Sequence, residues 1–364
     1  MTVRVPFGSL RPREDADAVR AAIARVVESG WYILGPEVEA FEREFAEASG
    51  ASHAIGVGTG TDALALILRG LGIGAGDEVV TTPLSAAYSA LAIVMAGATP
   101  VFADIDPVRL TIDPAAAAAA VTPRTRAILP VHLYGQAADM DALTAIAARH
   151  GLAIVEDCCQ AHLAHAGGRP VGTIGTAGAF SFYPTKNLGA LGDAGAIVTN
   201  DAALAERIRR LRNGGQVNRY EHEDVGVNTR LDEMQAAILR ARLPRLAAWT
   251  ASRRALARRY RAGLSGGQSV VPRECDPGHV YHLFVLLSGE GRREPLRQHL
   301  TGQGIETLIH YPLPIPAQRA FGALAPDRWP ACAAVCRQVL SLPLHPGLDE
   351  AIIADVAAAV RSFD

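Results

Sequence analysis

The sequence has no paired-cysteine framework, almost no net charge and no long apolar run, and each shortage removes a class of protein. Its five cysteines, Cys158, Cys159, Cys275, Cys332 and Cys336, do not form the two separated pairs of a zinc site or a secreted disulfide scaffold. Cys332 and Cys336 could share a helix face, but two thiols without further ligands make a weak metal site. No metal is expected, and the thiols read as buried apolar groups. A formal net charge of -2 offers no footprint for nucleic acid or an anionic membrane. No apolar stretch approaches the roughly 20 residues of a membrane span. The opening MTVRVPFGSLRPRED lacks the apolar core of a signal peptide, so a cytoplasmic chain is expected.

What is present is ordinary globular material: 364 residues, of which 49% are hydrophobic and 20% charged, enough for one large and one small domain. From about residue 50 to 210, short β-branched runs alternate with alanine- and leucine-rich helical stretches, the pattern of βαβ units in a largely parallel sheet. Seven strands are expected: Ala54–Val57, Glu78–Thr82, Thr99–Ala103, Ala127–Val131, Ala153–Glu156, Ala179–Phe182 and Ala196–Thr199. Helices are expected at Thr61–Arg69, Ala86–Ala96 and Met140–His150. Segment 214–229, GGQVNRYEHEDVGVNT, has no apolar period and reads as an exposed loop. The helical tract Leu231–Leu264 should kink at Pro244. Its arginines, Arg253, Arg254, Arg258, Arg259 and Arg261, read as a solvated face. Beyond it, HVYHLFVLL, EPLRQHLTGQG and IETLIH suggest strand, helix and strand of a smaller α+β lobe. The expected division is therefore 1–250, an α/β domain, and 251–364, a small C-terminal domain.

The most distinctive stretch is FSFYPTKNLGALGDAGA, 180–196, which holds Lys186 in a glycine-rich turn between two apolar runs. A lysine so placed is poorly explained as a solvated charge. Desolvated, its amine can lose a proton and condense with an aldehyde, and the commonest such partner is pyridoxal phosphate. Two further elements bear on this. At 56–65, GVGTGTDALA runs from a strand into a helix, which suits either a phosphate cup of bare amides with the Thr61 hydroxyl or a plain N-cap by Thr59, Thr61 or Asp62. It lacks the third glycine of the dinucleotide fingerprint. At 153–162, AIVEDCCQAH ends a strand on Glu156 and Asp157. Asp157 could hold the proton of a pyridinium ring, with Gln160 donating to a neighbouring ring oxygen, or it could cap a following helix.

Cup, carboxylate and lysine on successive strands, with ESGWYILGPEVEAFEREFA, PVHLYGQAADMDAL, GVNTRLDEMQAAILRARL and IHYPLP, give a chain that resembles the PLP-dependent nucleotide-sugar aminotransferases almost end to end. These belong to fold type I, the aspartate aminotransferase superfamily: a mainly parallel seven-stranded sheet flanked by helices, with a smaller α+β domain. The resemblance implies an internal aldimine of pyridoxal 5'-phosphate with Lys186, which then acts as acid and base. It assigns Asp157 to the pyridine nitrogen and Gln160 to the ring hydroxyl. Gly60, Thr61 and Ser181 would take the phosphate, joined by Asn228 of a neighbouring subunit in a homodimer with shared active sites.

Many relatives stack an aromatic ring on the cofactor where PLSAAYSAL has Ala87, so Tyr88, one place later, takes that role only with a local backbone shift. Tyr183, His310 and Tyr311 are the substrate candidates, while His162 and His165 either line the site or are solvated. The implied reaction passes an amine from an amino acid, L-glutamate, to a nucleotide-linked keto sugar. Carbon 3 of a dTDP-3-keto-6-deoxyhexose is the expected acceptor, with carbon 4 or a cyclitol as alternatives. In the related sugar 3-dehydratases a histidine replaces the lysine, which Lys186 argues against. A non-catalytic PLP-binding regulator would need a DNA-reading segment that the sequence does not offer.

Overall fold

The computed structural model describes residues 3–364. Helices α1 (Ala16–Ser29) and α2 (Pro36–Ser49) open the chain and pack on α8 (Glu233–Arg242). Proline in the first turn of α2 and left-handed Gly50 after its end, whose amide returns to the Ala46 carbonyl, set its limits. Strands β1 (His53–Val57), β2 (Glu78–Thr81), β3 (Thr99–Phe102), β4 (Thr125–Leu129) and β5 (Ala153–Asp157) alternate with α3 (Gly60–Gly70), α4 (Tyr88–Met95), α5 (Pro114–Ala119) and α6 (Met140–His150). A small ribbon of β6 (His165–Ala166) and β7 (Arg169–Pro170) precedes β8 (Ala177–Ser181), β9 (Gly195–Thr199) and α7 (Ala202–Leu211).

All seven expected strands form one sheet in the order β1-β9-β8-β5-β4-β2-β3. Pairing is parallel from β8 through β3, and β9 is antiparallel to both neighbours. Successive residues feed opposite faces, as the pleat requires. Ile55, Val79, Leu129, Val155 and Ile197 join one core, whereas Ala54, Val80, Ile128, Ile154 and Val198 join the other. On the second face the rings of Phe41 and Phe45 meet Phe180 and Phe182 edge-on at 5.1–5.4 Å. With both faces covered, the strands read as continuous apolar runs, which is why they were visible in the sequence.

Three expectations need correction. Segment 214–229 is not structureless: β10 (Gln216–Asn218) and β11 (Glu221–His222) form a short exposed ribbon, too short to show a period. The long tract does break at Pro244, into α8, a single 3₁₀ turn at Leu243–Arg245, and α9 (Leu246–Gly263). Its arginines, however, are not one solvated face. Arg258 and Arg259 are exposed, but Arg253 shares a buried stripe with Leu246, Thr250, Leu256, Ala257 and Tyr260, and is only 6% exposed.

In the last third, β12 (Phe284–Leu287) pairs antiparallel with β13 (Val339–Leu342), not with IETLIH, whose Ile305 and Leu308 make only isolated bridges to Val5 and Ser341. Helices α10 (Arg293–Gly302), α11 (Pro330–Gln338) and α12 (Glu350–Arg361) accompany them. Tyr260 and Leu256 of α9, Phe284, Leu340 and Val356 share a third core. Cys158, Cys332 and Cys336 are buried, whereas Cys159 and Cys275 are half-buried. Among the described residues no helix is long and apolar enough to cross a membrane.

Candidate functional site

The carboxyl ends of β5 and β8 converge on the start of α3. Neighbouring residues of β5 point oppositely, and this separates its two acids. Glu156 is fully buried, accepts from the amides of Gly172 (2.8 Å), Ile174 (2.9 Å) and Gly175 (2.7 Å), and lies 2.9 Å from His132 Nε2. His132 Nδ1 accepts from the Ala138 amide, so Nε2 carries the proton toward Glu156. Although His132, Glu156 and Cys158 are metal-ligand types in one cluster, the acid is already saturated and serves to tie loops together.

Asp157 is 5% exposed on the other side. Ser89 Oγ donates to its Oδ2 at 2.7 Å and the Cys159 amide to its Oδ1 at 3.1 Å, which fixes the carboxylate. It caps no helix, because turns occupy 158–164. Gln160 is buried beside it; its Oε1 accepts from the Tyr134 amide at 2.8 Å and its Nε2 donates to the Tyr311 hydroxyl at 3.0 Å. Tyr134 has a left-handed φ of 59°, and its hydroxyl donates to the His310 carbonyl. Residues 310–311 are thereby clamped to the end of β5. Burial pushes the Tyr311 phenol up to about 12, so it stays protonated.

Lys186 sits in a turn closed by its own amide to the Tyr183 carbonyl (2.8 Å) and by the Ala190 amide to the Phe182 carbonyl (2.7 Å). A Cβ at Gly189 would lie 2.6 Å from the Pro184 oxygen, so only glycine permits this turn. Asn187 anchors it through Nδ2 to the Val280 carbonyl (3.1 Å) and Oδ1 to His282 (3.2 Å). Desolvation lowers the Lys186 pKa, with Cys159 and Asp157 opposing. The charge in turn adds to the lowering, first caused by burial, of His162, His282 and His310.

At α3 the N-cap reading is borne out. Thr59 is the N-cap, accepting from the Asp62 amide at 3.0 Å, and this leaves the Thr61 side chain and the first helix amides available. A Cβ on Gly60 would stand 2.7 Å from Cys159 Sγ and 2.8 Å from Ser181 Cβ; one on Gly195 would stand 2.4 Å from the Thr59 carbonyl carbon. The two glycines let the loop press against β8 and β9, which sets Gly60 and the start of α3 directly against Ser181. A helix N-terminus with free amides, near a fixed acid and a desolvated lysine, suits a phosphorylated aldehyde.

His162 is fully buried rather than solvated. Its Nε2 donates to the Ser181 carbonyl at 2.8 Å, its Nδ1 has no partner among the described residues, and burial lowers its pKa to about 3. His165 is half-buried on β6. His310 Nδ1 faces Ser341 Oγ at 2.8 Å, and burial followed by Lys186 lowers its pKa to about 4. Tyr88 opens α4 and, like Tyr183 and Asn228, is exposed on the single chain. Thr229, next to Asn228, accepts from the Gly58 amide at 3.0 Å and donates to Asp62 at 2.8 Å, which fixes the backbone beside Asn228. Ser89, Tyr134, Asn187 and His282 escaped the sequence reading. Ser89, Tyr134 and Asn187 stood in segments that signalled function, PLSAAYSAL, PVHLYGQAADMDAL and the lysine turn, but none was given a role.

A cavity of about 260 Å³ opens beside Lys186 and is lined also by Asn187, His282, His310 and Arg253. Asp157, Gln160, Ser181, Gly60 and Thr61 lie outside its lining.

Residues 13–361 match the DegT/DnrJ/EryC1/StrS aminotransferase family. A Streptomyces venezuelae protein described as dTDP-3-amino-3,4,6-trideoxy-alpha-D-glucose transaminase is 50% identical over 100% of this chain and 97% of its own length. The crystal structure of S. venezuelae DesV in complex with a ketimine intermediate superposes with a TM-score of 0.96 at 49% identity, covering 100% of this chain and 99% of that one. NtdA from Bacillus subtilis, solved with bound cofactor PMP, gives a TM-score of 0.89 at 30% identity, covering 100% and 86%.

Proposed function

The chain belongs to the DegT/DnrJ/EryC1/StrS aminotransferase family, and from that premise we propose a pyridoxal 5'-phosphate-dependent transfer of an amino group from L-glutamate to carbon 3 of a dTDP-linked 3-keto-6-deoxyhexose. Carbon 3 is favoured by the description of the S. venezuelae relative. When bound, pyridoxal phosphate supplies an electron-poor ring that accepts the electrons left when a carbon loses its proton.

Everything else falls to the chain's own residues. Lys186 Nζ, its pKa lowered by desolvation, takes the proton from the donor's α-carbon in the first half-reaction and delivers one to the sugar carbon in the second. Asp157 holds the proton on the ring nitrogen, and the two donors from Ser89 and Cys159 keep it aimed. Gly60, Thr61 and Ser181 bind the phosphate and Gln160 borders the ring hydroxyl. Tyr88 offers a ring for stacking, and Tyr183, His310 and Tyr311 face the sugar. The partner subunit's Asn228 completes the phosphate site in a homodimer, a reading supported by the exposed aromatic rings of Trp31, Tyr32, Tyr88 and Tyr183 on the single chain.

The observation that carries this proposal is one desolvated lysine set beside a doubly hydrogen-bonded aspartate at the ends of adjacent strands. The test is a panel of 3-keto and 4-keto nucleotide sugars with glutamate, the new C–N bond being located by NMR. Amination at carbon 3 is expected. Amination only at carbon 4, or only of cyclitols, would overturn the substrate and leave the family intact.

A further inference from the structure

Arg253 is a buried cation that meets no acid among the described residues. Its Nη1 donates to the carbonyls of Leu344 (2.9 Å), Tyr281 (3.2 Å) and His282 (3.3 Å), while its buried Nε has no partner among the described residues. The acids nearest the same cavity are occupied elsewhere. Asp15 accepts from Arg242 Nε (2.7 Å) and the Arg13 amide (2.8 Å), and Glu14 accepts from Trp249 Nε1 (2.6 Å). Carbonyl dipoles alone are weak compensation for a desolvated guanidinium, which normally ends on a carboxylate or phosphate.

The open side of this guanidinium faces the cavity that Lys186 also lines, together with Arg11 and Arg13, neither of which forms an ion pair among the described residues. The histidines there bring no positive charge of their own. Burial holds His282 well below its ordinary range, with Lys186 and Arg253 adding to the effect, and it holds His345 near 4, helped by Arg13 and Arg253. The result is a site that lacks one anion. At about 260 Å³ the cavity falls below the roughly 300–1,000 Å³ of pockets for drug-sized ligands, so it suits an amino acid better than a whole nucleotide sugar.

We propose that Arg253 binds a carboxylate of the amino donor, setting the donor's amine against the position of Lys186. This rests on the aminotransferase reading above. A guanidinium edge and a carboxylate make paired, charge-assisted hydrogen bonds, which gives orientation as well as affinity.

The experiment uses cofactor-loaded wild type, Arg253→Lys and Arg253→Gln. Single-turnover bleaching of the cofactor is followed against L-glutamate, and its recovery against the keto sugar. Thermal shifts are measured with glutarate, a dicarboxylate without the amine. In Arg253→Gln the half-saturating glutamate concentration should rise at least roughly 30-fold, the loss expected when one partner of a buried charge pair is removed, and exceed any change for the keto sugar by about tenfold. Glutarate should raise the melting temperature of wild type and not of Arg253→Gln. Arg253→Lys, which keeps the charge and can still bond the carbonyls, should fold normally and fall between the two. Equal losses in both half-reactions, or an unchanged glutamate dependence in folded Arg253→Lys and Arg253→Gln, would overturn the proposal and leave Arg253 a structural cation. A selective rise for the keto sugar would overturn it in favour of the nucleotide's phosphates. Wild type that bleaches with glutamate yet aminates no nucleotide sugar would refute the substrate reading alone, whereas wild type that no amino acid bleaches would refute both.

Discussion

Acidification from about pH 7 to about pH 5 should remove about 4 kcal/mol of stability through two histidines, His162 and His279. Both are buried and held near 3, against 6.5 for the free side chain. The physical causes are specific. His162 Nδ1 faces no acceptor, so a proton added there would be unsolvated. His279 Nδ1 accepts from the Tyr281 amide at 2.9 Å and would have to give that bond up, with Arg261 and Arg254 close by. In the folded chain both stay neutral, while the unfolded chain takes up protons below 6.5. Their contribution is therefore complete above pH 6.5 and lost as pH falls toward 3.

At about pH 5 the unfolded state gains about 1.5 pKa units of protonation per ring, or about 2 kcal/mol each. Against the usual 5–15 kcal/mol of a folded protein this is a large fraction. Carboxylates with lowered pKa values, Glu14, Asp15, Glu78 and Glu294, lose stability only below their ordinary 4.5 or 3.8, outside this window. Urea midpoints at about pH 7.5, 6.5, 5.5 and 5 measure the effect. His162→Gln, which keeps a donor for the Ser181 carbonyl but cannot titrate, should cut the loss by one ring's share, about 2 kcal/mol, while His282, His310 and His345, also held low by burial, add to the same slope. Stability that stays flat across this range, or a slope unchanged in His162→Gln, would refute the reasoning.

Lys186→Ala should abolish transamination, and near-normal turnover in a glutamate-driven assay would contradict its role. Gly60→Ala places a methyl 2.7 Å from Cys159 Sγ and 2.8 Å from Ser181 Cβ, so it should destabilise by about 1–3 kcal/mol in urea titrations and weaken uptake of pyridoxal phosphate by the apoprotein. Ser89→Ala removes one of the two donors to a buried carboxylate; about 1.5–3 kcal/mol is expected to be lost, read as a lower urea midpoint and slower turnover with an intact lysine adduct.

Much of this was visible in the sequence, for reasons that differ by region. The central strands showed because they are buried on both faces and bounded by turn residues, the half-exposed edge strand β3 by its β-branched run, and the ends of β5 and β8 because Asp157 and Lys186 interrupt apolar runs. The small lobe was harder. IETLIH alternates like a strand yet lies across the lobe with only two bridges, while the true partner of β12, VLSL, runs straight out of α11 without a turn signal. Arg253 was misjudged because five arginines in one tract suggest solvent. The contrary signal was present, since 246, 250, 253, 257 and 260 repeat at helical spacing and four of those five positions are not charged. Nothing in PLSAAYSAL pointed to Ser89's own role, which exists only because α4 brings it to Asp157 at the end of β5, a tertiary fact.

The central claim is that the Lys186 amine forms a covalent bond with an aldehyde cofactor held between Asp157 and the cup of α3. Purified protein saturated with pyridoxal phosphate should, after borohydride reduction and peptide mapping, carry one cofactor-sized adduct on Lys186, with none on the Lys186→Ala protein. A chain that binds the cofactor yet yields no adduct at that residue would contradict the claim.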